Sequence, residues 1–326
     1  MKIFIILIIL FFLSLFVVST GIMVGSVDAT VGDLLESLSG KDNIKGYIIL
    51  NVRAPRTFGA YLGGSALALS GLMLQTYFRN PLAGPYVLGI SSAASLGVAL
   101  YVLAGVGWDY YGLVGSAMAG SVVAILMVLL LASRVKSAVT LLIAGLMLGY
   151  VFGAIERILI TFAESRQVHE FVMWTFGSFS GITWEDLEIL TITVLLSAIL
   201  SIILAKPLNA MLLGEEYARS MGVNIRVVRI AVVTLSSFLA ALITAFAGIV
   251  AFIGLAVPHI ARMLFRTSDH RILIPAVAVC GALITVTCDI VARTIASPVE
   301  LPISVVTSLF GAPIVVFLIL KRKKVG

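Results

Sequence analysis

Residues 205–226 read Ala-Lys-Pro-Leu-Asn-Ala-Met-Leu-Leu-Gly-Glu-Glu-Tyr-Ala-Arg-Ser-Met-Gly-Val-Asn-Ile-Arg, a polar island between apolar runs at 186–204 and 228–246. Each flanking run is close to the ~20 residues that a helix needs to cross a bilayer. The island therefore reads as a connection between two spans, lying at a membrane surface. As a short helix it carries Leu213, Tyr217 and Met221 every fourth residue in one apolar stripe. Glu215, Glu216, Arg219 and Ser220 face elsewhere, while Gly214, Ala218 and Gly222 form a row with almost no side chain. That row predicts a groove into which another protein's backbone fits.

The rest of the chain supports a membrane setting. Of 326 residues, 60% are apolar and 12% charged, with a mean hydropathy of +1.15, more apolar surface than a soluble domain can hide. An all-α integral membrane protein follows, because helices satisfy their own backbone groups in lipid. Apolar runs at 3–19, 57–77, 85–105, 111–132, 139–162, 186–204, 228–246, 248–265, 272–292 and 302–320 predict about ten transmembrane helices. They form one transmembrane domain over 1–326, with 205–226 inside it. The first run is longer than the ~7–15 residues of a signal-peptide core and reads as a retained span. Residues 28–52, with Asp28, Asp33, Glu36, Lys41, Asp42 and Lys45, read as an extramembrane loop. Between 246 and 257 two spans are separated only if Gly248 or Gly254 supports a tight turn.

Charge orients this array. Placing the N-terminus inside puts Lys2, Arg79, Arg134, Lys136, Lys206, Arg219, Arg226, Arg229, Arg262, Arg266, Arg271 and the basic 321–324 tail on the inner side, 15 of 22 basic residues. Only Glu215, Glu216 and Asp269 of the 16 acidic residues join them. This bias predicts that both termini and residues 205–226 are cytoplasmic. Basic residues at span ends, rather than in one patch, account for the +6 net charge without nucleic acid. Cys280 and Cys288, eight apart on one helix, lie ~12 Å apart along its axis, beyond the ~7 Å disulfide limit. His169, His259 and His270 show no ligand spacing, so no metal site is expected, and His259 reads as a packed, hydrogen-bonded residue. No paired-carboxylate cleft or nucleophile-base pair points to catalysis.

Between the second and third runs stands Arg79-Asn80-Pro81-Leu82-Ala83-Gly84-Pro85. Two prolines four apart forbid a continuous helix and free backbone groups that need partners. The segment is either a rigid connector or a gate constriction with Asn80 and Leu82 at a pore mouth.

These residues, with Gly71-Leu72-Met73-Leu74-Gln75 before them and Leu88-Gly89-Ile90-Ser91 after, resemble the FecCD family of ABC importer permeases for iron-siderophores, haem and cobalamin. Phe252 to Arg262, Asp269-His270-Arg271, Cys288 to Arg293, Glu300-Leu301-Pro302 and Gly311-Ala312-Pro313 extend the resemblance in order from about residue 50 to 320. The resemblance implies a type II importer fold of ten spans in the cytoplasmic membrane. It also implies a second copy of the chain, two ATP-binding subunits on the cytoplasmic side and an extracytoplasmic solute-binding protein. The cargo implied is a metal chelate, iron-siderophore first, then cobalamin or haem. The chain has no Gly-x-x-x-x-Gly-Lys-[Ser/Thr] loop, so ATP belongs to the partner and the chain is neither an enzyme nor a cofactor carrier itself.

Residue roles follow from the same resemblance. Glu216-Tyr217-Ala218-Arg219-Ser220-Met221-Gly222 matches the Glu-x-Ala-x-x-x-Gly pattern of the family's coupling helix, assigning Gly214, Glu215, Glu216, Ala218, Arg219 and Gly222 to ATPase coupling. Arg53, Arg56 and Arg293 are implied to dock carboxylates of the binding protein, a pairing that would steer it into register. Headgroup snorkelling is the alternative for Arg53 and Arg56, and internal pairing with Asp289, one turn away, for Arg293. The cytoplasmic gate is implied at Asn80, Leu82, Ser137 and Ala138, the last departing from the hydroxyl residue common there. Glu156 and Arg157 either face the pathway or its mouth, or pair with each other or across an interface. Phe171, Trp174, Phe176, Phe179 and Trp184 read mainly as an aromatic belt. An ion-coupled secondary transporter using Glu156 or Asp289 is the competing function, and a membrane scaffold without transport is the third.

Overall fold

A computed structural model describes residues 2–39, 43–135 and 137–322. Lys41 and Asp42 of the expected loop, and Lys136, Lys323 and Lys324 of the inner-side charges, lie outside the described residues. Every regular element among the described residues is helical. In chain order the α-helices are α1 (Lys2–Met23), α2 (Val31–Leu38), α3 (Ile44–Ile48), α4 (Ala54–Tyr77), α5 (Ile90–Val102), α6 (Tyr110–Arg134), α7 (Ala138–Phe162) and α8 (Ser165–Thr175), with a π-helical turn at Ile49–Arg53 and a 3-10 turn at Pro85–Leu88 between them. There follow α9 (Trp184–Ile203), α10 (Ala205–Met211), α11 (Glu215–Ser220), α12 (Ile225–Ala247), α13 (Ile253–Phe265), α14 (His270–Thr294) and α15 (Ile303–Arg322).

Among the described residues, seven helices are long and apolar enough to cross a membrane: α1, the continuous stretch Ile44–Tyr77, α6, α7, α9, α12 and α14. The three remaining apolar runs hold α5, α13 and α15. At 13 residues each, α5 and α13 are ~20 Å long, short of the ~30 Å hydrocarbon core. Both begin late for the same reason. Gly89 at φ 78° turns the chain into α5, and Gly248 at φ 68° and Phe252 at φ 64° turn it into α13. The segments leading into α5 and α13 meet inside the protein, where the Val250 N–H donates to the Tyr86 hydroxyl at 3.2 Å. A Cβ on Gly254 would lie 2.5 Å from Cδ of Pro85. Non-helical backbone at membrane depth is tolerated here because protein, not lipid, surrounds it. The turn expected within 246–257 is thus present, but sunk into the bundle.

The hub is α4, every residue of which is buried from Gly63 to Tyr77, packed on α9, α12, α13 and α14. Small residues let these backbones touch. A Cβ on Gly71 would stand 1.7 Å from the Gly254 carbonyl oxygen, and one on Gly64 2.3 Å from that of Gly281. Helix α1 lies on α4 and α14, with the Ser14 and Tyr61 hydroxyls 3.0 Å apart.

Two expectations are corrected. Residues 28–52 are not a plain loop: Thr30 and Asp33 form a capping box that starts α2, and Asn43 caps α3. The Asn43 amide also reaches Asp33 and Glu36 at 3.0 and 3.1 Å, so polar residues that look like loop are capping groups. The aromatic segment is a surface belt only in part, with Phe176 exposed and Trp174 half-buried. Phe171 in α8 and Phe179 after it are fully buried, whereas Trp184 is exposed and donates Nε1–H to the Leu50 carbonyl at 3.0 Å.

Candidate functional site

The polar island folds as two short helices, not one. Helix α10 stops before Gly214, whose φ of 117° excludes most side chains, and α11 begins at Glu215. It ends in a Schellman motif: the Val223 N–H donates to the Ala218 carbonyl at 3.0 Å and the Gly222 N–H to that of Arg219 at 3.0 Å. Gly222 sits at φ 81°, the left-handed residue this motif requires. Asn224 then caps α12 by accepting the Val227 N–H at 3.2 Å.

This arrangement corrects the expected groove. Ala218 is fully buried against the chain itself, and Gly222 is a helix stop. What α11 presents is the other row: Leu213, Tyr217 and Met221 are 64%, 52% and 60% exposed. Glu216 and Arg219 are exposed beside them, and Glu215 and Gly214 are half-buried. The segment is a ridge with an apolar crest and charged flanks.

The ridge is tied to the hub by a chain of hydrogen bonds. In α10 the Asn209 amide donates to the Asp269 carboxylate at 2.6 Å, and its oxygen accepts the His270 N–H at 2.9 Å and Nδ1 at 2.7 Å. On the other ring face, His270 Nε2 lies 2.8 Å from the Thr76 hydroxyl of α4. With Nδ1–H donating to Asn209, Nε2 is the acceptor. Asp269 also caps α14 through the Arg271 N–H at 3.0 Å. That bond, with the one from Asn209, holds its carboxyl below the ordinary carboxylate range. Asn209 and Thr76 carry no motif in the sequence; only packing brings them together.

The candidate gate loop at 79–85 is braced in a similar way. Asn80 Oδ1 accepts the Leu82 N–H at 2.9 Å, an Asx turn that leaves Leu82 exposed. His259 Nε2–H donates to the Pro81 carbonyl at 2.9 Å, the packed role the sequence anticipates. Buried Gln75 bridges α4 to α13, donating to the Leu255 carbonyl at 3.0 Å and accepting from Arg262 at 2.8 Å. Ser137 caps α7 and Ala138 is its first residue. Arg229 donates to the carbonyls of Ala132, at 3.3 Å, and Val135, pinning the chain just before Ser137.

At the opposite end of the bundle Arg53, Arg56 and Arg293 are only 4%, 5% and 2% exposed. Arg53 donates to the carbonyls of Met23, at 2.6 Å, and Val27. Arg56 straddles two carboxylates, reaching Asp289 at 3.0 Å and Glu300 at 2.8 Å. Arg293 pairs with Asp289 at 3.2 Å. The guanidinium groups read as outward docking points are therefore turned inward in this conformation. The physical reason is cost: an unpaired charge at this burial is several kcal/mol unfavourable, and Asp289 lies one turn before Arg293. Glu300, with its side chain 40% exposed, is the member that reaches the surface. Cys280 and Cys288 are buried free thiols.

Comparison with known proteins agrees with this geometry. The FecCD transport family matches residues 6–321. A vitamin B12 import system permease of Salmonella typhi is 38% identical over 85% of this chain and 84% of its own length. A hemin transport system permease of Yersinia pestis is 35% identical over the same shares. A solved structure assigned to the metal-chelate type of ABC transporter, in an inward-facing conformation, superposes with a TM-score of 0.84 at 31% identity, covering 96% of this chain and 99% of that one. A multi-pass, all-helical membrane chain whose sequence matches the family model over nearly its full length belongs to the FecCD transport family.

Proposed function

We propose that this chain is the membrane-spanning permease subunit of a binding-protein-dependent ABC importer that moves a metal chelate across the cytoplasmic membrane. Two copies form the pathway, separate ATP-binding subunits engage α11 of each copy from the cytoplasm, and a solute-binding protein delivers cargo from outside. In this reading α5, α13 and α15 complete a set of ten spans, with both termini cytoplasmic. Iron-siderophore is the first choice of cargo, with cobalamin and haem next, as the relatives' hemin and vitamin B12 transport makes natural.

The observation that carries the reading is the α11 ridge: exposed Leu213, Tyr217 and Met221 beside Glu216 and Arg219. An apolar crest with charged flanks is what a docking partner buries. Its link through Asn209, His270 and Thr76 to α4 gives a push on the ridge a route to the hub. Asn80, Leu82, Ser137 and Ala138 would form the inner gate on loops braced by His259 and Arg229. Docking of the binding protein through Arg53, Arg56 and Arg293 would need their inward pairs to open, with Glu300 as the exposed lever.

The secondary-transport alternative is weakened by Asp289, which is held between Arg56 and Arg293 and has no open side for an ion. Proteoliposomes separate the classes. Uptake of a ferric siderophore that needs ATP, the ATPase and the binding protein, and ignores proton and sodium gradients, supports the importer. Gradient-driven uptake by this chain alone sinks it. Normal uptake by a Glu216→Lys variant would instead remove α11 from the coupling path.

A further inference from the structure

We propose that the cavity enclosed by α5, α7 and α8 is a water-filled station on the translocation path that binds cationic or hydrogen-bond-donating groups of the solute, with Glu156 as acceptor. This rests on the importer function proposed above. The cavity measures about 480 Å³ and takes Ser91, Ser92 and Ser95 from α5, Glu156 from α7, Thr175 from α8, and Tyr86. With Tyr150 of α7, seven oxygen-bearing side chains surround one opening, which is unusual in a chain this apolar. The contrast is a second cavity of about 400 Å³ between α1, α13, α14 and α15, whose walls are almost wholly hydrocarbon.

Depth decides what faces the first cavity. Glu156 lies six residues before Phe162, the last residue of α7, so ~9 Å inside the helix end. A glutamate side chain is too short to reach the interface from there, and an ionised carboxylate against lipid costs about 2.5 kcal/mol or more. It must face protein or water. Ser95 of α5 lines the same opening, and a single hydroxyl would use only part of the carboxylate's acceptor capacity of about four lone pairs. The remainder faces the opening. Arg157, next along α7, lines the same cavity but is exposed on a longer, flexible stem that can carry its charge to the surface, which leaves Glu156 as the charge held inside. Access is open, since a Cβ on Gly153, one turn from Glu156, would meet no atom within 4 Å.

The test uses the purified chain in lipid vesicles, without partner subunits. Gly153→Cys adds a thiol on the cavity wall, and the parent chain, whose Cys280 and Cys288 are buried, is the control. Two membrane-impermeant reagents are compared, methanethiosulfonate ethyltrimethylammonium and methanethiosulfonate ethylsulfonate, each normalised to its rate with free glutathione. The expected result is modification by both, with the cationic reagent faster by about fivefold, and loss of that preference when Glu156→Gln is added. Ser92→Cys repeats the measurement should Gly153→Cys fail to insert. No modification at either position would mean a dry cavity, and equal rates or an anionic preference would mean that Glu156 does not set the ligand class; either overturns the proposal. Charge-selective labelling in a chain that shows no ATP-driven uptake would leave the cavity intact and sink the importer reading alone.

Discussion

The two ends of the bundle hold their charges in opposite ways. At one end Arg56, Asp289, Arg293 and Glu300 close on each other, and all but Glu300 are buried. At the other, Glu216 and Arg219 stand in the open beside an apolar crest that no described residue covers. Charge that is paired inside holds three segments together; charge left outside flanks a surface for a partner. Arginines and glutamates at span ends look alike in the sequence, and the difference between the ends is one of burial.

The sharpest way to break this contrast is at Asp289. Asp289→Ala leaves Arg56 and Arg293 buried with one shared partner gone, at about 3–5 kcal/mol. The folded yield in membranes and the midpoint of thermal unfolding in detergent should both collapse. Wild-type stability would show that the network is not structural. At the ridge the fold should be indifferent and association should not. Tyr217→Ala, which removes a half-exposed side chain, should leave thermal unfolding unchanged. It should weaken binding of the ATP-binding subunit by roughly thirtyfold, a loss of about 2 kcal/mol typical of an aromatic anchor, measured by titration in nanodiscs.

A smaller effect is expected at Gly222. Gly222→Ala places a Cβ on a residue at φ 81°, costing about 1 kcal/mol. It should loosen α11 without unfolding the bundle, read as faster amide exchange at Val223 and Gly222, whose N–H groups close the Schellman motif. The smallest concerns α2 at the opposite end. Asp33, hydrogen-bonded first by Asn43 and then by Thr30, has its pKa lowered to about 2, below the unfolded value of about 4. Its capping contribution is therefore complete above pH ~4 and lost as pH falls through about 2. Amide exchange over residues 31–38 should quicken in that window alone, and Asp33→Asn should flatten the response.

Much of this was legible from residues alone. Apolar run lengths mark the spans, and the basic bias marks one end as distinct, because a bilayer imposes one length and one charge asymmetry on any chain that crosses it. The polar island stands out for the same reason. Two runs misled about length: 85–105 and 248–265 are apolar from their first residues, yet α5 starts only at Ile90 and α13 at Ile253. Buried irregular backbone is as apolar in its side chains as buried helix, so composition does not separate them.

Other features lay beyond the sequence. Periodicity places Leu213, Tyr217 and Met221 on one stripe and Ala218 on another, but does not tell which stripe turns outward. The packing of α11 on α10 and α12 chose the large residues. Arg56 finds Asp289 and Glu300 across 233 and 244 residues of chain, and Thr76 finds His270 across 194. Sequence by itself determined that this chain crosses a membrane many times and presents a long charged connection at 205–226 between spans, since solvent sorts residues by local pattern. Tertiary structure alone decided which charges are spent internally and which face a partner, since burial is fixed by neighbours distant in the chain.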